Sequence, residues 1–192
     1  MTNDEKIGLL GGTFDPPHTG HLLIAEGVRD ALQLDEVWFI PTYEAPHKQS
    51  SGTGVDSRLQ MLKQAIKTNQ NFYINDIEIE RKGVSYTVDT VTLLREKHHD
   101  VQFHFIIGAD IVEYLPHWHE IERLLDLVKF IGVGRPGYKM KTDYPIIEAD
   151  VPLMDISSTD VRRRVKEGQT IKYLVPECVE TYIYKRRLYE QK

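Results

Sequence analysis

The sequence predicts an α/β fold: a mainly parallel sheet flanked by helices, with a helical C-terminal part. Three observations predict it. Short apolar runs alternate with longer stretches whose apolar residues recur at three- and four-residue intervals. The first run ends in glycines and leads through a helical stretch to a second run, which is a βαβ unit with a right-handed crossover. Beyond about residue 156 only helical spacing remains. At 192 residues the chain fits one domain on a prior of ~100–200 residues, with a core of about 6–155 and a helical part of about 156–192.

The elements follow in order. Lys6 to Leu10 is short, apolar and closed by Gly11-Gly12, as a buried strand would be. Leu22, Ala25, Val28 and Leu32 mark one buried helix face. Val37 to Ile40 is the second strand, stopped by Pro41. Residues 41–54 hold two prolines, two glycines and several Ser or Thr, and read as a mobile loop. Asp56 is placed to cap a helix running to about Lys67. Phe72 to Ile79 suits a strand, and Tyr86 to Lys97 a helix. Phe103 to Ile107 is the next strand, ended by Gly108. Residues 120–127 read as helix, Lys129 to Val133 as strand, and Ile146 to Ala149 as a further strand. Two helices, near 158–167 and 176–189, complete the chain.

Composition narrows the function classes. The formal net charge is −5, which opposes non-specific nucleic-acid binding but permits a local anion site. The single cysteine, Cys178, excludes an internal disulfide and a Cys-based zinc cage, and fits a reducing compartment. No apolar run approaches the ~20 residues of a membrane span, and the N-terminus lacks a signal peptide's apolar centre. The expectation is a cytoplasmic protein without a membrane or nucleic-acid partner. A homo-oligomer is compatible with the sequence, which does not specify one.

In a parallel sheet, ligands sit beyond the carboxyl ends of the strands. The segment after the first strand is GGTFDPPHTGH, residues 11–21. Adjacent glycines allow close backbone approach and positive φ. His18 and His21 share a face near a helix start, where N–H groups and partial positive charge suit a phosphate. Gly20 keeps the space between them open. The run is neither a dinucleotide fingerprint nor a P-loop. A zinc pair lacks an evident third ligand.

GGTFDPPHTGH resembles the first signature of the nucleotidyltransferase superfamily, and Ile156 to Arg162, ISSTDVR, resembles the second. Read alone, the second motif offers Ser157 or Ser158 as a helix cap, with Arg162 one turn on to grip a triphosphate. The segments PHK (46–48), SYTVDT (85–90), IGAD (107–110), PHW (116–118) and VGRPG (133–137) are similar to bacterial nicotinate-nucleotide adenylyltransferases. The resemblance runs from about Lys6 to the C-terminal helix and implies a Rossmann-like frame. Phosphopantetheine adenylyltransferases share the end motifs, but are generally shorter and lack SYTVDT and PHW. A tRNA-synthetase-like module, suggested by HTGH, leaves no room for an anticodon-binding domain. A nucleotide sensor without turnover has no lost motif to support it.

The resemblance implies transfer of AMP from ATP to nicotinate mononucleotide, giving nicotinate adenine dinucleotide and pyrophosphate in NAD biosynthesis. It implies His18, His21 and Arg162 as catalytic groups. ATP would meet Gly11, Gly12, Thr13, Phe14, His18, His21, Gly108, Asp110, Ser157, Ser158 and Arg162. The mononucleotide would meet Lys48, Tyr86, Thr87, Asp110, Trp118 and Arg135. In the family the IGAD segment lies between the two substrates, with Asp110 as a ribose-hydroxyl acceptor, and Trp118 stacks on the pyridine ring. Thr87, at a helix start, suits the nicotinate carboxylate. Mg²⁺ would accompany ATP, held mainly by phosphates and water; no protein ligand for it is legible.

Overall fold

Six strands form one all-parallel sheet in the order β3-β2-β1-β4-β5-β6. The computed structural model describes residues 5–44, 53–134 and 140–190. The strands are β1 (Glu5–Gly12), β2 (Glu36–Pro41), β3 (Phe72–Ile74), β4 (Val101–Gly108), β5 (Lys129–Val133) and β6 (Ile146–Ala149). The chain runs outward from β1 through β2 and β3, then crosses back to lay β4 on the other side of β1. Leu9 therefore pairs with Trp38 on one flank and Phe105 on the other. That reversal is the topological switch point, where a crevice opens beyond the carboxyl ends of β1 and β4.

The helices are α1 (Thr19–Ala31), α2 (Val55–Ile66), α3 (Ile77–Arg81), α4 (Thr87–Lys97), α5 (Ala109–Val112), α6 (Ile121–Leu127), α7 (Ser158–Lys166) and α8 (Glu177–Arg186), with a 3₁₀ turn at Leu115–His117. Ala25 and Val28 of α1, Met61 and Leu62 of α2, Val161 of α7 and Val179 and Ile183 of α8 share one buried cluster. Val88, Val91 and Leu94 of α4 and Leu124 of α6 belong to a second. The helical C-terminal part thus packs into the same core as the first two helices. Among the described residues no helix is long and apolar enough to cross a membrane.

Four local expectations change. Gly11 and Gly12 are strand residues, paired with Ile40 and Pro41. The left-handed residue of the following turn is Phe14, with φ 49°. The strand from Phe72 stops at Ile74, because Asn75 Oδ1 accepts the Ile77 N–H at 3.2 Å. This side-chain turn starts α3 instead. Helix α1 begins at Thr19, a turn before its first periodic apolar residue. Asp56 lies inside the first turn of α2, and Gly54 is the cap. The Ser57 and Arg58 N–H groups both reach the Gly54 carbonyl, which sets the helix start there. Of the loop expected at 41–54, residues 45–52 lie outside the described residues.

Candidate active site

The glycines at the end of β1 serve space. A side chain at Gly11 would meet the Phe105 ring at 3.3 Å, and one at Gly12 the Phe14 ring at 3.2 Å. Phe14 does not line the cavity described below, contrary to its expected ATP contact. Its ring is buried, tilted against Phe39 and edge-on to His21 with centroids 5.1 Å apart. Phe14 supports His21 from below.

His18 and His21 form the entrance to α1. His18 is the N-cap residue, and its N–H donates to His21 Nδ1 at 3.1 Å. An imidazole nitrogen that accepts leaves the proton of the neutral ring on the other, so His21 presents Nε2–H. The two rings stack with centroids 3.6 Å apart. Gly20 is needed beside them, since a Cβ there would come within 3.1 Å of His18 Nδ1. The helix start offers fewer free donors than its position suggests. Thr19 N–H is taken by the Leu174 carbonyl at 2.9 Å, and His21 N–H by the His18 carbonyl at 3.0 Å.

Burial changes what His18 can do. It is only 7% exposed, and desolvation lowers its pKa from 6.5 to about 4. At neutral pH it is an uncharged ring with a buried Nδ1 that has no partner among the described residues. His18 therefore faces a phosphate as a neutral ring and not as a cation. A stability consequence follows from the sign. The unfolded chain takes up this proton near 6.5 and the folded one near 4. Stability from the neutral ring is complete above 6.5 and is lost between 6.5 and 4, by roughly 3 kcal/mol. Urea unfolding across that range should show the parent losing more stability on acidification than His18→Gln. Parallel curves would mean the folded ring is already charged.

The second signature closes the other side. Ser157 caps α7 by accepting the Asp160 N–H at 3.1 Å. Ser158 instead donates from Oγ to the Pro16 carbonyl at 2.9 Å. Arg162 donates to the Asp15 carbonyl at 2.7 Å and to Thr159 Oγ1 at 3.2 Å. The two motifs, far apart in sequence, are stitched directly together.

Arg58 was not anticipated. It is 6% exposed and donates from Nη1 to the Thr13 and Thr42 carbonyls at 2.7 and 2.9 Å, tying the ends of β1 and β2. Its desolvation lowers the guanidinium pKa, against the pull of the Asp15 charge. A signal existed: Arg58 shares the buried face of α2 with Met61, Leu62 and Ala65, at the spacing of an apolar stripe. A charge in such a stripe is there for a partner.

These parts surround a cavity of about 900 Å³, within the usual range for small-molecule sites. β1 and its loop contribute Gly11, Gly12, Thr13 and Asp15; α1 contributes His18 and His21. Arg58 enters from α2, and Ser157, Ser158 and Arg162 from α7. Gly108 and Asp110 enter from β4 and α5. Gly108 is the cap of α5 and Asp110 stands in its first turn. A Cβ on Gly108 would lie 2.5 Å from Asp110 Oδ1.

Of the expected mononucleotide residues, Asp110 lines this cavity, whereas Tyr86, Thr87 and Trp118 stand beside it. Trp118 packs edge-on to Phe105 at 5.9 Å, and Phe105 underlies Gly11. The Tyr86 ring lies 4.6 Å from that of His119. Thr87 opens α4, braced below by Thr90 Oγ1 donating to the buried Glu78 carboxyl at 2.8 Å. Burial holds that carboxyl above its ordinary range. Lys48 and Arg135 lie outside the described residues.

Residues 9–164 match the family model described as cytidylyltransferase-like. A Bacillus anthracis protein with the name "Probable nicotinate-nucleotide adenylyltransferase" is 57% identical over 96% of this chain and 98% of its own. A Geobacillus thermodenitrificans protein of the same name is 55% identical over 96% of this chain and 86% of its own. Among solved structures, the Plasmodium falciparum nicotinic acid mononucleotide adenylyltransferase "complexed with NaAD" superposes with a TM-score of 0.83 at 21% identity, covering 96% of this chain and 97% of that one. This likeness speaks for the fold, and the bacterial relatives carry the assignment further. With both signatures meeting at one cavity at the switch point, the chain belongs to the cytidylyltransferase-like family and, within it, to the nicotinate-nucleotide adenylyltransferases.

Proposed function

We propose that this chain transfers AMP from ATP to nicotinate mononucleotide, releasing pyrophosphate and forming nicotinate adenine dinucleotide for NAD biosynthesis. The observation that carries the reading is the convergence of His18, His21, Ser158 and Arg162 on one cavity, with α7 tied to the β1–α1 loop. The names of the bacterial relatives support it.

The mononucleotide phosphate is already ionised at neutral pH, so the reaction needs no general base. One of its oxygens bonds to the α-phosphorus of ATP, and the bond from that phosphorus to the bridging oxygen breaks. Both electrons leave with pyrophosphate. The chain's work is alignment of two anions and stabilisation of charge spreading onto the α-phosphate and leaving group. His21 Nε2–H, the neutral His18 ring and the fork of Arg162 are the donors assigned to that work. Gly11, Gly12 and Thr13 give the nucleotide its backbone floor, and Asp110 accepts from a ribose hydroxyl.

Mg²⁺ fits this site as an ion arriving on the triphosphate. Among the described residues no group of three His, Cys, Asp or Glu could hold a metal, and Mg²⁺ commonly keeps its waters and binds through phosphates. When bound, it neutralises phosphate charge. ATP and a phosphorylated nucleotide as substrates, with one cysteine in the chain, support a cytoplasmic setting for the reaction.

On this reading Tyr86, Thr87 and Trp118 receive the pyridine end, and Lys48 and Arg135 its phosphate. Trp118→Ala should raise the KM for nicotinate mononucleotide by roughly 10-fold, the scale of one lost aromatic stack, and leave that for ATP unchanged. Equal loss for both substrates, or for neither, counts against the stacking role. The direct test of function is pyrophosphate release from ATP and Mg²⁺ with nicotinate mononucleotide, its nicotinamide analogue and phosphopantetheine in parallel. Release mainly with the nicotinate form is expected. Equal use of both pyridine nucleotides would remove the carboxylate role of Thr87, and release only with phosphopantetheine would overturn the substrate.

A further inference from the structure

The β1–α1 loop is held by donors from distant parts of the chain. Arg58 donates to the Thr13 carbonyl, Arg162 to the Asp15 carbonyl and Ser158 to the Pro16 carbonyl. Those three residues line the cavity themselves. The fourth donor does not. Tyr189 lies beyond α8, and its phenol O–H donates to Asp15 Oδ1 at 2.5 Å across 174 positions of sequence. Asp15 is 2% exposed.

Packing alone does not explain this contact. Leu188 and the Tyr189 ring both lie against the core shared by α2, α7 and α8, and a phenylalanine ring would serve there equally. The hydroxyl adds a bond to a buried carboxylate and a hydrogen bond with the Thr53 side chain. The segment reaches that place through two left-handed residues that are not glycine, Arg187 at φ 51° and Tyr189 at φ 66°. Such backbone persists where surrounding contacts over-determine it.

We propose that Tyr189 is a positioning residue for the ATP half of the site, acting through Asp15. The Asp15 peptide carries the carbonyl that aims Arg162, and the next carbonyl anchors Ser158. Arg58 is close enough to feel the Asp15 charge. With its Oδ1 engaged by the phenol, the Asp15 side chain is kept from swinging onto these guanidinium groups, whose donors then remain turned to the triphosphate.

The inference rests on the reading that the cavity takes ATP, so the experiment pairs ATP titration of the parent with that of Tyr189→Phe. The variant should bind ATP more weakly by roughly 10-fold, the scale of one hydrogen bond to a charged group. Its KM for nicotinate mononucleotide should stay within about twofold, since no contact on that side is touched. Leu188→Ala, which removes packing from the same segment and keeps the bond, should lower the Tm without this split. Asp15→Asn keeps an acceptor for the phenol and removes the charge, so on that background Tyr189→Phe should no longer weaken ATP binding.

Unchanged ATP affinity in Tyr189→Phe overturns the proposal, as does an equal loss for both substrates or full additivity with Asp15→Asn. A parent that binds no ATP overturns the functional reading and this one together. A parent that binds ATP as tightly as its variant does overturns this one alone.

Discussion

His21→Ala lowers turnover by roughly 10²-fold or more, the scale of one donor aimed at developing transition-state charge. Two features of the structure make this the most telling single change. The acceptor bond from the His18 N–H to His21 Nδ1 places the proton at Nε2 of a cavity-lining ring that is braced by Phe14 and stacked on His18. The same bond caps α1, so its loss costs about 1 kcal/mol of stability as well. Steady-state pyrophosphate release, with a thermal melt of the same sample, separates the two effects. His21→Gln should recover part of the turnover, because its amide N–H can approach the place of Nε2–H. Near-parental turnover in a folded His21→Ala protein would remove His21 from the chemistry.

Arg162→Ala should reduce kcat/KM for ATP by roughly 10²–10³-fold, the scale of a charge-assisted donor acting in the transition state. The expectation exceeds that for a surface arginine because the guanidinium has two tasks. One arm holds the Asp15 carbonyl at 2.7 Å, and the group also lines the cavity. A lysine is a point donor that cannot reproduce the fork. Arg162→Lys should therefore remain well below the parent. If the lysine variant matches the parent in kcat/KM for ATP, a single positive charge suffices and the forked role is wrong. The expectation concerns ATP alone, and the KM for the mononucleotide is its internal control.

Much of the frame was legible in the sequence because it is written in local periodicity. The continuous apolar run from Ile7 to Leu10 is buried in β1, as a parallel strand covered on both faces demands. The spacing of Ala25 and Val28 gave the buried face of α1. The two signatures were recognisable because each is a short run opening a helix. Boundaries were less legible where a side chain competed with the backbone. Asn75 ended a strand whose apolar pattern continued to Ile79, and Gly54 pre-empted the cap expected at Asp56.

The site divides the same way. Residue types in GGTFDPPHTGH and ISSTDVR named His18, His21, Ser158 and Arg162 as a set, and the cavity gathers them. The run of letters could not say that His18 is buried and uncharged, that Phe14 is a support, or that Ser158 and Arg162 grip the first loop. It was equally silent on Tyr189 and on the partner of Arg58, since the acceptors Asp15 and Thr13 stand 174 and 45 positions away. Periodicity and capping report what a residue does within its own element, over one or two turns. Desolvation, tautomer and cross-chain donors depend on which elements the sheet order sets side by side at the switch point, and that is a property of the assembled fold.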